Sequence, residues 1–313
     1  MNKITVIGAG NVGATVANVL AQKDLAREVV LLDIKEGVAE GKALDIWQTS
    51  SILNFNTRVR GYTNDYRKTK GSGVIVITSG IPRKPGMSRD DLIKTNAIIV
   101  KEVVEKAIKY SPDAIILIVS NPLDVMTYVA YKAANKDSKK VFGMAGILDT
   151  GRYKAFIAES LDISPKDIHA LLMGSHGDSM VPLRRYTSVG GIPVTELMIK
   201  DELDKIIERT RKGGGELVNL MGTSAWYAPG AAVAEMVEAI VDDQKRVFPV
   251  CAYLNGEYGQ KNIYLGVPVK LGKDGIEEII QLDLNKNEMK MVEESANSVK
   301  EVMAVLDDMN LFD

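Results

Sequence analysis

Lys3-Ile-Thr-Val-Ile7-Gly8-Ala-Gly10-Asn-Val-Gly13 opens the chain, and Val29-Val-Leu-Leu-Asp33 follows a short helical segment later. The first five residues are β-rich and end at a glycine. Ala14-Thr-Val-Ala-Asn-Val-Leu20 predicts a helix, and residues 29–33 a second buried strand that ends in a carboxylate. Strand, glycine-rich turn, helix, strand and acid thus fall within about 30 residues. A G-x-G-x-x-G run alone is weak evidence; in this setting it is specific. Gly8 permits a tight turn, Gly10 lets the backbone approach a pyrophosphate, and Gly13 lets the helix pack close to the strand. The helix N-terminus offers free N–H groups and a positive dipole end to phosphates. Asp33 lies 20 residues past Gly13. A carboxylate there accepts hydrogen bonds from ribose hydroxyls and repels a 2′-phosphate, so NAD is expected rather than NADP.

The same texture continues. Residues 36–47 read as a polar helix, 58–62 as a weak strand and 63–66 as a turn. Val74-Ile-Val-Ile-Thr78 and Ala114-Ile-Ile-Leu-Ile-Val119 are nearly all apolar, as strands covered on both faces of a parallel sheet tend to be. Leu92, Ile93, Ile99, Val100, Val103, Val104 and Ile108 mark a helix over about residues 90–110. A helix to about residue 134 and a short strand at 141–144 complete the alternation. Residues 1–145 are therefore expected to form a doubly wound parallel sheet of the Rossmann kind, α/β in class. Ligands bind beyond the carboxyl ends of such strands, where Gly8, Asp33, Gly80 and Asn121 fall.

Residues 146–313 lose the strict alternation and are expected to form an α+β second domain. Helices are predicted at 148–160, 201–220 (interrupted at Gly213-Gly-Gly215), 231–247 and 286–309. Residues 168–173 and 180–188 read as strands flanking Gly174-Ser-His-Gly-Asp178. Pro249 ends a helix, and short strands follow at 250–253, 263–267 and 269–271.

With 39 basic and 41 acidic residues, the formal net charge is −2. Neither nucleic acid nor an anionic membrane is expected as a partner. No apolar run reaches transmembrane length, and the β-rich start leaves no room for a signal peptide. Cys251 is the only cysteine, which excludes an intrachain disulfide and a thiolate metal cluster and suits a reducing compartment. A cytoplasmic protein without a metal is expected.

Local chemistry is concentrated in a few places. Ile81-Pro-Arg-Lys-Pro-Gly-Met-Ser-Arg89 gathers Arg83, Lys84 and Arg89 between a strand and a helix. It is either a solvated connection or an anion-binding lid. His169 sits in an apolar strand pattern and reads as structural. His176 lies between Gly174 and Gly177 on a turn that lets a substrate approach, although a lone loop histidine is more often without function. Asp149 and Arg152, at i and i+3, share a helix face. Beside an imidazole that carboxylate would hold its tautomer, and the arginine would fork onto a substrate carboxylate; read alone they are a surface ion pair. Asn121 would contact a substrate or nicotinamide, or cap a helix.

Together the motifs form an ordered series: Gly8 to Gly13 with Asp33, Gly80 to Arg89, Ser120-Asn-Pro-Leu-Asp124, Leu148-Asp-Thr-Gly-Arg152 and Gly174 to Asp178. The series resembles the lactate/malate dehydrogenase superfamily, most closely its malate dehydrogenases of lactate-dehydrogenase-like type, over essentially the whole chain. The resemblance implies reversible hydride transfer between (S)-malate and oxaloacetate with NAD, in the tricarboxylic acid cycle. It implies His176 as acid/base, Asp149 as its orienting carboxylate and Arg152 on a substrate carboxylate. It implies Arg89 polarising the reacting C–O bond, Arg83 choosing the substrate, and Asn121 on substrate and nicotinamide. The implied cofactor contacts are Gly8, Gly10, Asn11, Val12, Gly13, Asp33, Thr78, Gly80, Asn96, Val119 and Asn121. A homodimer or homotetramer is implied; Gly37–Trp47 and Ala231–Ile240 are candidate interfaces, with buried core an equally good reading of the second.

Three rivals are weighed. A lactate dehydrogenase would carry a neutral residue where Arg83 stands, because a guanidinium buried beside pyruvate's methyl lacks a partner. An NAD-dependent glycosidase would need a metal held by a cysteine and a histidine, and Cys251 is far from His176 in sequence. A non-catalytic dinucleotide sensor would bind NADH without turnover.

Overall fold

The computed structural model describes residues 1–82 and 86–312. The alternation seen in the first half becomes β1 (Lys3–Ile7), α1 (Asn11–Gln22), β2 (Glu28–Asp33), α2 (Val38–Gln48), α3 (Ser50–Leu53), β3 (Arg58–Thr63), β4 (Val74–Ile77), α4 (Arg89–Ile108), β5 (Ile115–Ile118), α5 (Leu123–Ala134) and β6 (Val141–Gly143). These strands pair in parallel in the order β3-β2-β1-β4-β5-β6. The order reverses between β1 and β4, and a groove opens there, as a Rossmann sheet requires.

The period of two along each strand sorts side chains into two layers. Val74 and Val76 of β4 face the layer that holds Val16, Ala17 and Leu20 of α1. Ile75 and Ile77 face the layer that holds Ile93 and Val100 of α4 and Met126 and Val129 of α5. Covered on both faces, the central strands have no polar alternation, which is why they read as continuous apolar runs.

The second half contains α6 (Gly146–Leu161), β7 (Ile168–His169), β8 (Leu172–Met173), β9 (Val181–Pro182), β10 (Ser188–Val189), β11 (Ile192–Pro193), α7 (Val194–Leu197), α8 (Lys200–Met221), α9 (Tyr227–Val241), β12 (Arg246–Asn255), β13 (Lys261–Gly272), β14 (Gly275–Ile279) and α10 (Lys286–Asp307). The sheet does not stop at β6. β12 joins it antiparallel, with Cys251 opposite Gly143, and β13 and β14 extend it further. A Rossmann half and an α/β C-terminal half thus share one mixed sheet. No described helix is long and apolar enough to cross a membrane.

Several sequence expectations are corrected. α8 runs unbroken through Gly213-Gly-Gly215; glycine weakens a helix by about 1 kcal/mol each but does not end it. The helix expected at 231–247 ends at Val241, and Val247 already belongs to β12. Pro249 and Pro268 do not delimit strands. They face each other inside β12 and β13, and both strands run on past them. Pro268 still accepts the Ile280 N–H at 2.9 Å through its carbonyl. The strands expected at 168–173 and 180–188 are each broken in two, because β7 pairs with β10 while β8 pairs with β9. His169 faces solvent on β7 rather than an apolar interior.

Candidate active site

The carboxyl ends of β1, β2, β4 and β5 meet at one edge, and the turns after them line a groove. Gly8 has φ of 107°, a left-handed value that glycine adopts without strain, and a Cβ there would come within 2.5 Å of Thr78 Oγ1. A Cβ on Gly13 would lie 1.8 Å from the Gly8 carbonyl oxygen, so α1 can start this close to the turn only with glycine. Gly10 differs, since a Cβ there would meet no heavy atom within 4 Å. The protein leaves open space at that glycine. α1 has no side-chain cap, so the first-turn amides around Asn11 and Val12 are left to a ligand.

Asp33 closes β2. Its Oδ2 accepts the Ala9 N–H at 2.6 Å and its Oδ1 accepts the Lys35 N–H at 2.9 Å. Thr78 Oγ1 donates to the Gly8 carbonyl at 3.0 Å and ties the tips of β1 and β4 together. One lobe of the groove, of roughly 310 Å³, is walled by Leu32, Ile34, Ile81, Ile99 and Val103 and includes Asp33. The other, of roughly 420 Å³, runs from Gly10 to Gly13 past Gly80, Val119 and Asn121 to Thr223 and Ser224. An apolar slot, a carboxylate and a row of backbone amides suit the ring, ribose and pyrophosphate of a dinucleotide.

Asn96, expected as a cofactor contact, lines the second lobe but spends its amide on the protein. Nδ2 donates to the carbonyls of Ile81 at 3.2 Å and Asn121 at 2.8 Å, and Oδ1 accepts the Ile81 N–H at 2.8 Å. It clamps the root of the basic loop to the turn after β5.

The Gly174–Asp178 turn joins β8 to β9, and successive residues are held by different elements. Gly174, at φ 83°, exchanges backbone hydrogen bonds with Gly266 of β13 at 2.8 and 3.0 Å. A Cβ on Gly266 would sit 2.3 Å from the Gly174 carbonyl oxygen, so only glycine allows the pairing. The Ser175 N–H donates to Ser295 Oγ of α10 at 2.8 Å. The His176 N–H donates to Asp124 Oδ2, in the first turn of α5, at 3.3 Å.

The imidazole is held from α6. Nδ1 of His176 lies 2.9 Å from Oδ2 of Asp149, whose residue is 1% exposed. That contact puts the proton on Nδ1 and leaves Nε2 for chemistry. Asp149 Oδ1 accepts from Arg152 Nη1 at 3.4 Å. Among the described residues, the buried Nε of Arg152 has no hydrogen-bond partner, a demand that a bound carboxylate meets. Burial alone would push the His176 imidazole below its ordinary value. The Asp149 charge and hydrogen bond, with Asp124 behind them, outweigh burial and the opposing Arg152, and the net shift is upward.

Arg89 starts α4 behind the Ser88 cap, where Ser88 Oγ accepts the Asp91 N–H at 3.0 Å. It lines a cleft of roughly 280 Å³ with Pro122, Asp124, Ser175, His176 and Asp178. Arg83 and its neighbour Lys84 lie outside the described residues. The fold thus brings His176, Asp149 and Arg152 into direct contact, sets Arg89 in one cleft with His176, and places Asn121 in the groove. The sequence reading gives no role to Asp124 or Cys251, although Cys251 Sγ donates to Asp124 Oδ1 at 3.2 Å beside the histidine. The available signal was a carboxylate opening an otherwise apolar helix turn, between Leu123 and Val125.

Comparisons with known proteins agree over the whole length. Residues 2–143 match the lactate/malate dehydrogenase NAD binding domain, and residues 147–308 match the lactate/malate dehydrogenase alpha/beta C-terminal domain. A malate dehydrogenase of Cytophaga hutchinsonii is 64% identical over 305 residues, covering 97% of this chain and 98% of the relative. The solved malate dehydrogenase of Salinibacter ruber superposes with a TM-score of 0.95 at 54% identity, covering 98% of both chains. A lactate dehydrogenase of Cryptosporidium parvum, solved with lactic acid and the dinucleotide, superposes with a TM-score of 0.93 at 40% identity, again over 98% of both. With its dinucleotide groove and its histidine–aspartate–arginine cluster in place, the chain belongs to the lactate/malate dehydrogenase family.

Proposed function

We infer that the chain is an NAD-dependent malate dehydrogenase, interconverting (S)-malate and oxaloacetate. The observation that supports this most is one buried carboxylate, Asp149, holding both a histidine and an arginine with an unfilled donor. A proton-transfer group and a carboxylate receptor are thereby set at a fixed spacing, as a 2-keto acid requires. Arg83 supplies the charge for a second carboxylate.

NAD(H) supplies or accepts the hydride. In reduction, protonated His176 gives its Nε2 proton to the keto oxygen, and Asp149 keeps the ring in the orientation that permits this. Arg152 takes the substrate carboxylate next to the keto carbon. Arg89 polarises the C–O bond, Asn121 holds substrate against the groove, and Arg83 pairs with the distal carboxylate. In oxidation, neutral His176 takes the hydroxyl proton. The turn after β1 and Asp33 bind the dinucleotide, and closure of the 81–89 loop excludes water.

The two functional halves divide near residue 145. The protein works in the cytoplasm, in the tricarboxylic acid cycle, as a homodimer or homotetramer. Leu44 of α2 and Ile52 and Leu53 of α3 are 57%, 75% and 49% exposed and offer an apolar face for a second copy. Most of residues 231–240 are buried by the chain itself and belong to its core.

A lactate dehydrogenase shares this backbone shape, so we assign the choice of substrate to a side chain, that of Arg83. Initial rates with oxaloacetate and with pyruvate, each with NADH and NADPH, test the reading. Oxaloacetate with NADH is expected to be fastest. A preference for pyruvate overturns the substrate assignment, and no turnover with either leaves a dinucleotide-binding sensor.

A further inference from the structure

Asp124 is a buried carboxylate that the mechanism above does not use. It is 5% exposed, and its helix neighbours Leu123 and Val125 are buried apolar residues. Its two oxygens take donors from opposite parts of the chain, Oδ2 from the His176 backbone and Oδ1 from the Cys251 thiol. Cys251 is fully buried and stands where β12 meets β6, opposite Gly143. Helix α5, strand β12 and the His176 turn therefore converge on one carboxylate. Burying it is costly, and burial lifts its pKa to about 6, against the pull of Cys251 and His176. A group kept at that cost beside a reacting histidine calls for a reason.

We propose that Asp124, steadied by Cys251, is a positioning residue for His176: it ties the main chain of the histidine to α5 and β12, while Asp149 orients the ring. The inference rests on the reading of His176 as the acid/base. Without Asp124, the ring could still meet Asp149, but the turn beneath it would lose its tether to the dinucleotide-binding half. In its ionised form Asp124 also adds negative charge beside the imidazole. The other charged groups facing this region are Asp149 and Arg152 on α6, Arg89 at the start of α4, Asp178 on the turn itself and Glu301 on α10.

The test uses the full-length protein and three variants. Asp124→Asn keeps the size and one acceptor oxygen but removes the charge. Cys251→Ala removes the thiol donor, and Cys251→Ser restores a donor of similar shape. For each, kcat and KM for oxaloacetate reduction are measured across pH, with NADH affinity by fluorescence and thermal unfolding alongside. For Asp124→Asn, kcat is expected to fall on the order of tenfold to a hundredfold, the usual cost of losing a hydrogen bond to a charged group. NADH affinity should stay within about twofold, and the alkaline limb of the pH profile should move to lower pH. Cys251→Ala should lose less, in the same direction, and Cys251→Ser should recover most of it.

A folded Asp124→Asn with the parent kcat and the parent pH limb overturns the proposal. So does a fall in kcat matched by an equal loss of NADH binding, which would mean general damage to the fold. If Asp124→Asn does not fold, the cysteine pair decides, and Cys251→Ser behaving like Cys251→Ala overturns the proposal. Failure of the parent protein to reduce oxaloacetate sinks the functional reading itself; a parent that reduces it and an Asp124→Asn that matches it sink only this inference.

Discussion

The dinucleotide groove and the His176 turn are both backbone turns at strand ends, yet they are built in opposite ways. The floor of the groove is made from consecutive residues, Gly8 to Gly13, and Asp33 closes onto that turn from the end of β2 through the Ala9 amide. The His176 turn is made by distant ones: Gly266, Ser295, Asp124 and Asp149 hold it from β13, α10, α5 and α6. A surface that binds through backbone amides depends on the absence of side chains. A group that reacts through one side chain depends on the presence of several others. The two regions should therefore fail separately.

Replacing the reacting group is the sharpest way to separate them. His176→Asn should lower kcat for oxaloacetate reduction by about 10²–10⁴-fold, the range general acid catalysis supplies. NADH affinity, read by fluorescence titration, should remain within about twofold. Near-normal turnover would remove His176 from the chemistry. Loss of NADH binding as well would show that the two regions are coupled.

That difference in construction also decides what could be read from the sequence. The groove was legible because a turn of six residues carries its own geometric demands, and glycine is the residue that meets them. The parallel sheet was legible because strands covered on both faces must be apolar throughout. His176, Asp149 and Arg152 were found through spacing and resemblance, and the fold brings them together. Asp124 was not legible as their neighbour, since its partners lie 52 and 127 residues away. Asn96 was named as a cofactor contact, whereas the use of its amide to clamp Ile81 and Asn121 appears only in the fold. Pro249 and Pro268 misled because a proline signals a missing N–H, and only the ladder shows that each faces the other.

Asp149→Asn tests whether the turn works as one unit. The carboxylate raises the His176 pKa, whereas burial and Arg152 lower it. Reduction needs the protonated ring, so a raised pKa keeps the reaction running to higher pH. Without the charge, burial and Arg152 act unopposed except by Asp124, and the alkaline limb of kcat/KM should move to lower pH. The rate should fall on the order of a hundredfold, since the ring also loses its tautomer. A limb that stays in place would mean that Asp149 does not set the titration.

Arg83→Gln probes the substrate end. Removing the guanidinium should cost oxaloacetate reduction at least about tenfold more than pyruvate reduction, because only oxaloacetate has a second carboxylate to leave unpaired. Equal losses for both substrates would cancel its discriminating role. In the groove, Gly13→Ala and Gly10→Ala make a matched pair. The first drives a Cβ against the Gly8 carbonyl and should destabilise the protein by about 1–3 kcal/mol. The second meets nothing in the protein and should leave thermal unfolding almost unchanged while weakening NADH, because its methyl enters space the pyrophosphate needs. Equal effects of the two on stability would show that the open space at Gly10 is not kept for a ligand.

The smallest effect lies on α8, between the two kinds of construction. Gly215 is exposed in the helix with open space where a Cβ would go, so Gly215→Ala should stabilise by about 0.5–1 kcal/mol. Gly213 is buried in the same helix, and its Cβ would stand 3.3 Å from Arg152 Cδ. Alanine brings the same helix propensity there, but the arginine must shift to receive it. Gly213→Ala should therefore gain less stability than Gly215→Ala and raise KM for oxaloacetate, with NADH affinity unchanged. Thermal unfolding and steady-state kinetics on the two variants separate these outcomes. If both glycines gave the same stabilisation and the same KM, the packing of Arg152 against Gly213 would have no part in placing the substrate carboxylate. A difference confined to KM would extend the rule of the His176 turn to the arginine beside it, with a glycine on a distant helix setting where a reacting side chain rests.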